Sequence, residues 1–124
     1  MAIKNIRDLN VWQEAIKLTK GVYIATKDYP PEEKYNLTKH LRESSRGVAA
    51  NIAEGFGRYY FREKLQFYGI ARGCLNEVLN DIQISYEVDY IDQEIHNKFI
   101  NQIDKVGKML STLINNTSQK INNP

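Results

Sequence analysis

The sequence predicts an all-α, antiparallel, up-down-up-down four-helix bundle. Apolar residues recur at three- and four-residue spacing almost throughout, which is the period of a helix and not of a strand. Breakers are few: three prolines occur, two of them adjacent, and there is no Asn-Gly or Asp-Gly hairpin signal. Between them lie four stretches, each sufficient for a helix of roughly 27–40 Å. The short connections favour antiparallel neighbours.

The first stretch runs from about Asn10 to Lys27. Asn10 followed by Gln13 fits a capping box, and Trp12, Ile16, Thr19, Tyr23 and Thr26 form a stripe. Pro30 and Pro31 stop this helix and open the next, with Glu32 and Glu33 beside the positive end of its dipole. The second stretch, about Glu32 to Glu54, aligns Leu37, Leu41, Ser45, Val48, Ile52 and Phe56. Ala49, Ala50 and Ala53 thin its later half, and Gly55 and Gly57 are natural terminators. The third, about Phe61 to Glu87, carries two offset stripes. One is Phe67, Ala71, Cys74, Val78 and Ile82; the other is Leu65, Tyr68, Leu75, Leu79 and Tyr86. Two greasy faces exceed what one four-helix core can cover, so self-association is expected. Gly69 and Gly73, one turn apart, are candidate points of close approach between subunits. The fourth stretch starts at a cap, Asp92, and carries Ile95, Phe99, Ile103, Val106, Leu110 and Leu113. A single bundle domain is expected over residues 1–114, followed by a polar, frayed tail over 115–124.

Composition bounds the function. At 42% apolar and 26% charged residues the chain reads as a soluble globular protein. Its 124 residues suffice for a core without staples. Cys74 is the only cysteine, which excludes an intrachain disulfide and points to a reducing, cytoplasmic setting. No signal peptide or membrane span is expected. The net charge of +2 is small but unevenly spread. Residues 1–72 hold thirteen Lys/Arg against eight Asp/Glu, and residues 73–124 hold four against seven. Such asymmetry can attract an anionic partner to one end.

Catalytic patterns are missing from the sequence. A di-iron bundle needs Glu-x-x-His on two helices, whereas Leu37 and Gln93 precede His40 and His96. No HExxH, CxxC or phosphate-loop pattern occurs. Cys74 falls on a core stripe and reads as an inert thiol. His40 and His96 fall on polar faces and read as solvated, with no triad partner. We therefore expect no enzyme activity, no metal site and no cofactor.

The segment Asn51-Ile52-Ala53-Glu54-Gly55-Phe56-Gly57-Arg58 stands apart. Asn51 and Glu54 share a helical face just before the glycines, a place to bond a neighbouring helix end or another subunit. Removing a buried polar partner there, as in Glu54→Ala, would cost about 1–3 kcal/mol. This run, with Leu9-x-x-Trp12-x-x-Ala15, Pro30-Pro31 with Glu33, Leu37 with Arg42, Phe67, Ile70-Ala71-Arg72-Gly73, Glu77 and, where Gly-Tyr-Leu is usual, Asp89-Tyr90-Ile91, resembles the 23S rRNA intervening-sequence proteins. The likeness spans about residues 6–114. It implies an antiparallel four-helix bundle, assembly as a homopentamer, no catalytic residues and a link to RNA. A more distant likeness is to the accessory protein of diversity-generating retroelements, which binds nucleic acid. The chain departs from the family pattern at Glu43, where a second Arg is usual, at Tyr60 in place of a small capping hydroxyl, and at Cys74 in place of Ser.

Two functions follow. In the first, Lys39, Arg42 and Arg46 line one face of the second helix, and Arg58, Arg62, Lys64 and Arg72 continue the patch near Tyr59, Tyr60 and Phe67. Cations over a phosphate backbone with aromatics for stacking fit RNA or other nucleic acid. In the second, the ring is an adaptor that presents repeated copies of a surface to a partner protein.

Overall fold

The computed structural model of the chain describes residues 3–122. Among these residues there are four long helices and no strand. A 3-10 turn, Ile6–Asp8, leads into α1, Asn10–Thr26. A second 3-10 turn, Pro31–Glu33, precedes α2, Leu37–Gly57. Then come α3, Phe61–Glu87, and α4, Gln93–Asn122. None of these helices is long and apolar enough to cross a membrane.

All four helices contribute to one core. The α2 stripe falls as its spacing predicts, with Leu37, Leu41, Ser45, Val48 and Ile52 buried. In α4, Phe99, Ile103, Val106 and Leu110 are buried, while Ile95 is partly exposed. The core face of α3 draws on both of its stripes: Tyr68, Ala71, Leu75, Val78 and Ile82. The α1 stripe is displaced by one position. Val11, Ala15, Leu18 and Val22 face the core, whereas Ile16 is 42% exposed and Trp12 and Tyr23 are only half-buried. Both stripes of α1 are apolar, so spacing alone does not choose between them. Packing buries Val11, Ala15, Leu18 and Val22, and with them Thr26 of the expected stripe.

Polar contacts join neighbouring helices at several levels. Thr19 Oγ1 donates to the Ser45 carbonyl at 3.0 Å, tying α1 to α2. Gln102 Nε2 on α4 donates to the Glu14 carbonyl at 2.9 Å and to its carboxylate at 3.2 Å. Lys105 adds an ion pair to Glu14 at 3.1 Å. On α4, His96 stacks on Tyr86 of α3 with ring centroids 4.4 Å apart.

Helix ends depart from expectation where local bonds compete. Leu9, not Asn10, is the N-cap of α1, and Gln13 Nε2 donates to the Arg7 carbonyl at 2.6 Å in place of closing a capping box. The prolines open only a 3-10 turn. Asn36, at φ −127° and ψ −106°, interrupts the ladder, so α2 begins at Leu37. Gly55 does not terminate α2; the helix runs on to Gly57 and then turns extended at Arg58. The expected cap at Asp92 is present, its carboxylate accepting from the Ile95 N–H at 2.9 Å. Helix α3 closes with bonds from Tyr90 N–H to the Ser85 carbonyl and from Asp89 N–H to the Tyr86 carbonyl, the Schellman pattern. Its left-handed residue is Asp89, at φ 65°. The tail expected to fray from residue 115 instead continues α4 through Asn122, with Thr117 buried. No proline or glycine interrupts residues 115–122, and polar residues on an outer face do not stop a helix. Residues 123 and 124 of that expected tail lie outside the described residues.

The glycines of the α2 end play opposite parts. A Cβ on Gly55 would lie 2.6 Å from the Tyr68 ring and 3.1 Å from the Lys64 carbonyl, whereas one on Gly57 would meet nothing within 4 Å. Gly55→Ala should therefore destabilise the protein by about 1–3 kcal/mol through overpacking. Gly57→Ala should be neutral or slightly stabilising. Urea unfolding of the two variants checks this.

Candidate nucleic-acid interface

The end of α1, the second 3-10 turn and the start of α2 surround a concavity of about 410 Å³. Lys34, Tyr35, Lys39, Arg42, Glu43 and Arg46 line it, with Tyr23 and Thr38. The α2 cations reach it because residues three and four apart share a helix face. Arg42 is the anchored member. Its Nε donates to Thr26 Oγ1 at 2.8 Å, and its guanidinium carbon lies 4.7 Å from the Tyr23 ring centroid. Lys39 makes only a loose, exposed ion pair with Glu43 at 4.0 Å. Arg46 is exposed and has no partner among the described residues.

The other expected cations lie elsewhere. Arg46 and Arg58 are twelve residues apart, about 18 Å along α2. Arg58 pairs with Glu54 at 3.3 Å and covers the Phe67 ring at 4.6 Å. Lys64 is half-buried, and its ammonium donates to the carbonyls of Phe56 at 2.7 Å and Gly55 at 3.3 Å. It closes the C-terminus of α2, a structural duty that removes it from a solvent-facing patch. Burial pushes its pKa down, with the Lys120 charge adding to the effect. Arg62 and Arg72 are exposed and unpartnered among the described residues, about 15 Å apart along α3. At the α2–α3 turn the exposed rings of Tyr59 and Tyr60 meet edge to face at 5.0 Å. The basic residues thus form a concave cluster at one end of α2 and a looser group at the other. Lys34, Tyr35 and Tyr23 were not among the expected site residues. The expected second helix, from about Glu32, takes in Tyr35 near its start; Asn36 is the signal for the turn that holds Tyr35 outside α2.

Asn51 Nδ2 donates to the Gly47 carbonyl of its own helix at 2.8 Å, and Glu54 is exposed. The two do not bond each other, so within one chain Glu54→Ala removes an exposed ion pair worth about 0–1 kcal/mol. Gly69 and Gly73 have open space where a Cβ would stand. Cys74 is half-buried between α2 and α3, opposite Gly47, and burial followed by the Glu77 charge raises its thiol pKa. Among the described residues no group of three or more His, Cys, Asp or Glu side chains is arranged to hold a metal ion.

The expectation that His40 is merely solvated is corrected. His40 Nδ1 forms a short hydrogen bond with the carboxylate of Asp81, which is 3% exposed, and Nε2 lies 3.9 Å from Glu77. A buried carboxylate needs a partner, and α2 supplies it across the interface to α3. The Asp81 bond raises the His40 pKa against the opposing effect of burial, and the Asp81, Glu77 and Glu43 charges add to the rise. At the other interface, hydrogen bonds from Lys17 and Gln102 hold the Glu14 carboxyl down at about 2.

Stability should therefore fall on both sides of a central pH range. A raised histidine pKa contributes stability that is complete below about 6.5 and lost as pH climbs through the folded value. A depressed carboxyl contributes stability above about 4.3 that is lost as pH falls toward the folded value. Melting across pH 3 to 9 should show His40→Gln flattening the alkaline limb and Glu14→Gln flattening the acid limb.

The crystal structure of a protein of unknown function of the S23 ribosomal protein family from Bacteroides thetaiotaomicron superposes with a TM-score of 0.76 at 18% identity. The match covers 84% of this chain and 97% of that one, and it supports the fold alone. No curated protein matches the sequence. The family described as 23S rRNA-intervening sequence protein matches over residues 7–112, and the chain belongs to that family.

Proposed function

We propose that the protein is a non-enzymatic, homo-oligomeric antiparallel four-helix bundle that binds RNA or other nucleic acid. Its binding surface is the basic face of α2, extended by the turn to α3. The observation that carries this reading is the concavity in which Lys34, Lys39, Arg42 and Arg46 face a single carboxylate, Glu43. Cations gathered on a concave surface focus positive potential and neutralise phosphates. The family's description, which ties its members to 23S rRNA, points the same way. Antiparallel order is supported by the contacts that pair Gly55 with Tyr68, Gly47 with Cys74 and His40 with Asp81, which run in opposite directions along α2 and α3.

A pentamer is the assembly we favour, from the family resemblance. The open backbone at Gly69 and Gly73 and the exposed Ile70 and Ile84 on α3 support contact with another chain. A ring would repeat the basic patch around an axis and turn a modest charge into a strong field. Light scattering at micromolar concentration should give five times the chain mass, and a monomer would refute the assembly.

An adaptor role has one observation of its own. An apolar groove of about 380 Å³ between α1 and α4 is lined by Ile24, Ile91, Ile95 and Phe99 over Gly21. It would suit a protein segment.

Charge reversal separates the two readings. Lys39→Glu with Arg46→Glu spares the anchored Arg42 and the core. It should abolish RNA binding while helix content and oligomer mass stay unchanged. Wild-type binding should weaken roughly ten- to several-hundred-fold between 50 and 200 mM salt for about three to five phosphate contacts. If the double variant binds as the wild type does, the proposed surface is wrong. If the wild type binds nothing at 50 mM salt, the adaptor reading replaces it.

A further inference from the structure

We infer that the concavity at the start of α2 receives an unpaired nucleobase on the ring of Tyr35, so that the nucleic acid bound there is single-stranded. The inference rests on the nucleic-acid reading above and names the form of the ligand. Tyr35 stands in the turn before α2 and is 81% exposed, with the Lys34 ammonium 5.3 Å from its ring centroid. An exposed tyrosine alone means little. This one lines a cup together with four cations and a second tyrosine. The cup's volume, about 410 Å³, falls within the range of small-ligand sites. That suits a single inserted nucleotide.

The surrounding groups divide the work. The guanidinium of Arg42 is fixed by Thr26 and by the Tyr23 ring, so its remaining N–H donors face a ligand without loss of rotamer freedom. Lys39 and Arg46 lie one turn to either side of Arg42, spaced to follow a strand's phosphates along α2. Glu43 repels phosphate and accepts from an exocyclic amino group of a base. A duplex keeps its base faces inside the stack and offers this cup only backbone, whereas a single strand exposes them to aromatic platforms. At the far end of α2, Tyr59 and Tyr60 pack against each other, so each ring covers part of the other. Tyr35 has no such neighbour.

The test compares a short fluorescent oligoribonucleotide, single-stranded and annealed to its complement, on the full chain. The wild type should bind the single strand more tightly than the duplex. Tyr35→Ala and Tyr35→Leu should each weaken single-strand binding by roughly 5- to 150-fold, the range for losing one stacked base. Both variants should keep the slope of affinity against salt, because no phosphate contact is removed. Tyr35→Phe should bind as the wild type does. Melting temperatures should not change, since the side chain is exposed. Equal binding of both forms with no effect of Tyr35→Ala would overturn the stacking site and leave the nucleic-acid reading standing. Absence of binding to either form at 50 mM salt would overturn both.

Discussion

The structure depends on the close approach of α2 to α3. It requires that side chains be absent at two levels. At Gly47 a Cβ would stand 2.8 Å from the Cys74 sulfur, and at Gly55 it would run into the Tyr68 ring. Between these levels α2 presents Val48 and Ile52 to the core, both fully buried. At the third level, nearest the start of α2, the interface holds a buried carboxylate and its imidazole partner instead of a glycine. Along this single seam a satisfied polar pair near the start of α2 gives way to two apolar close approaches further on. The seam tolerates neither an added methyl group at Gly55 nor an unpaired Asp81.

That seam decides which side of α2 remains available. With Ser44, His40 and Asn51 turned toward α3 or their own helix, the basic residues at 39, 42 and 46 fall on the side toward α1 and solvent. Tyr23 and Thr26 of α1 then become the supports for Arg42. The other pair, α1 against α4, uses a different device. Gln102 and Lys105 reach the nearly buried Glu14 carboxylate, so a charge is kept ionised by convergent donors. Two interfaces thus carry titratable pairs of opposite sense.

The division of the cations has a consequence for recognition. Lys64 and Arg58 lie near one another in sequence and are engaged in closing α2 and in an ion pair with Glu54. Arg46, Arg62 and Arg72 are exposed and have no partner among the described residues. Charge alone does not distinguish these roles; what distinguishes them is whether a helix terminus or a carboxylate already occupies the side chain. Glu43 places a carboxylate inside the concavity, 4.0 Å from the Lys39 ammonium.

Much of the fold was legible in the sequence because helical periodicity and end signals are local. The limits of α3, the cap at Asp92 and the buried stripes of α2 and α4 follow from residues within a turn or two of each other. The motif run around Asn51 to Arg58 carried the family. What local pattern does not contain is the choice between equivalent neighbours and the pairing of distant groups. The core face of α1, one residue away from the more obvious stripe, was decided by packing against the other helices. The same is true of Gly55, whose use as a contact and not as a terminator depends on Tyr68, thirteen residues on. His40 found Asp81 across forty-one positions, and Thr26 of α1 came to hold Arg42 sixteen residues on. Sequence determined the elements, since hydrogen bonding within a helix is a local matter. Tertiary structure decided the site, since burial and charge pairing are made between helices.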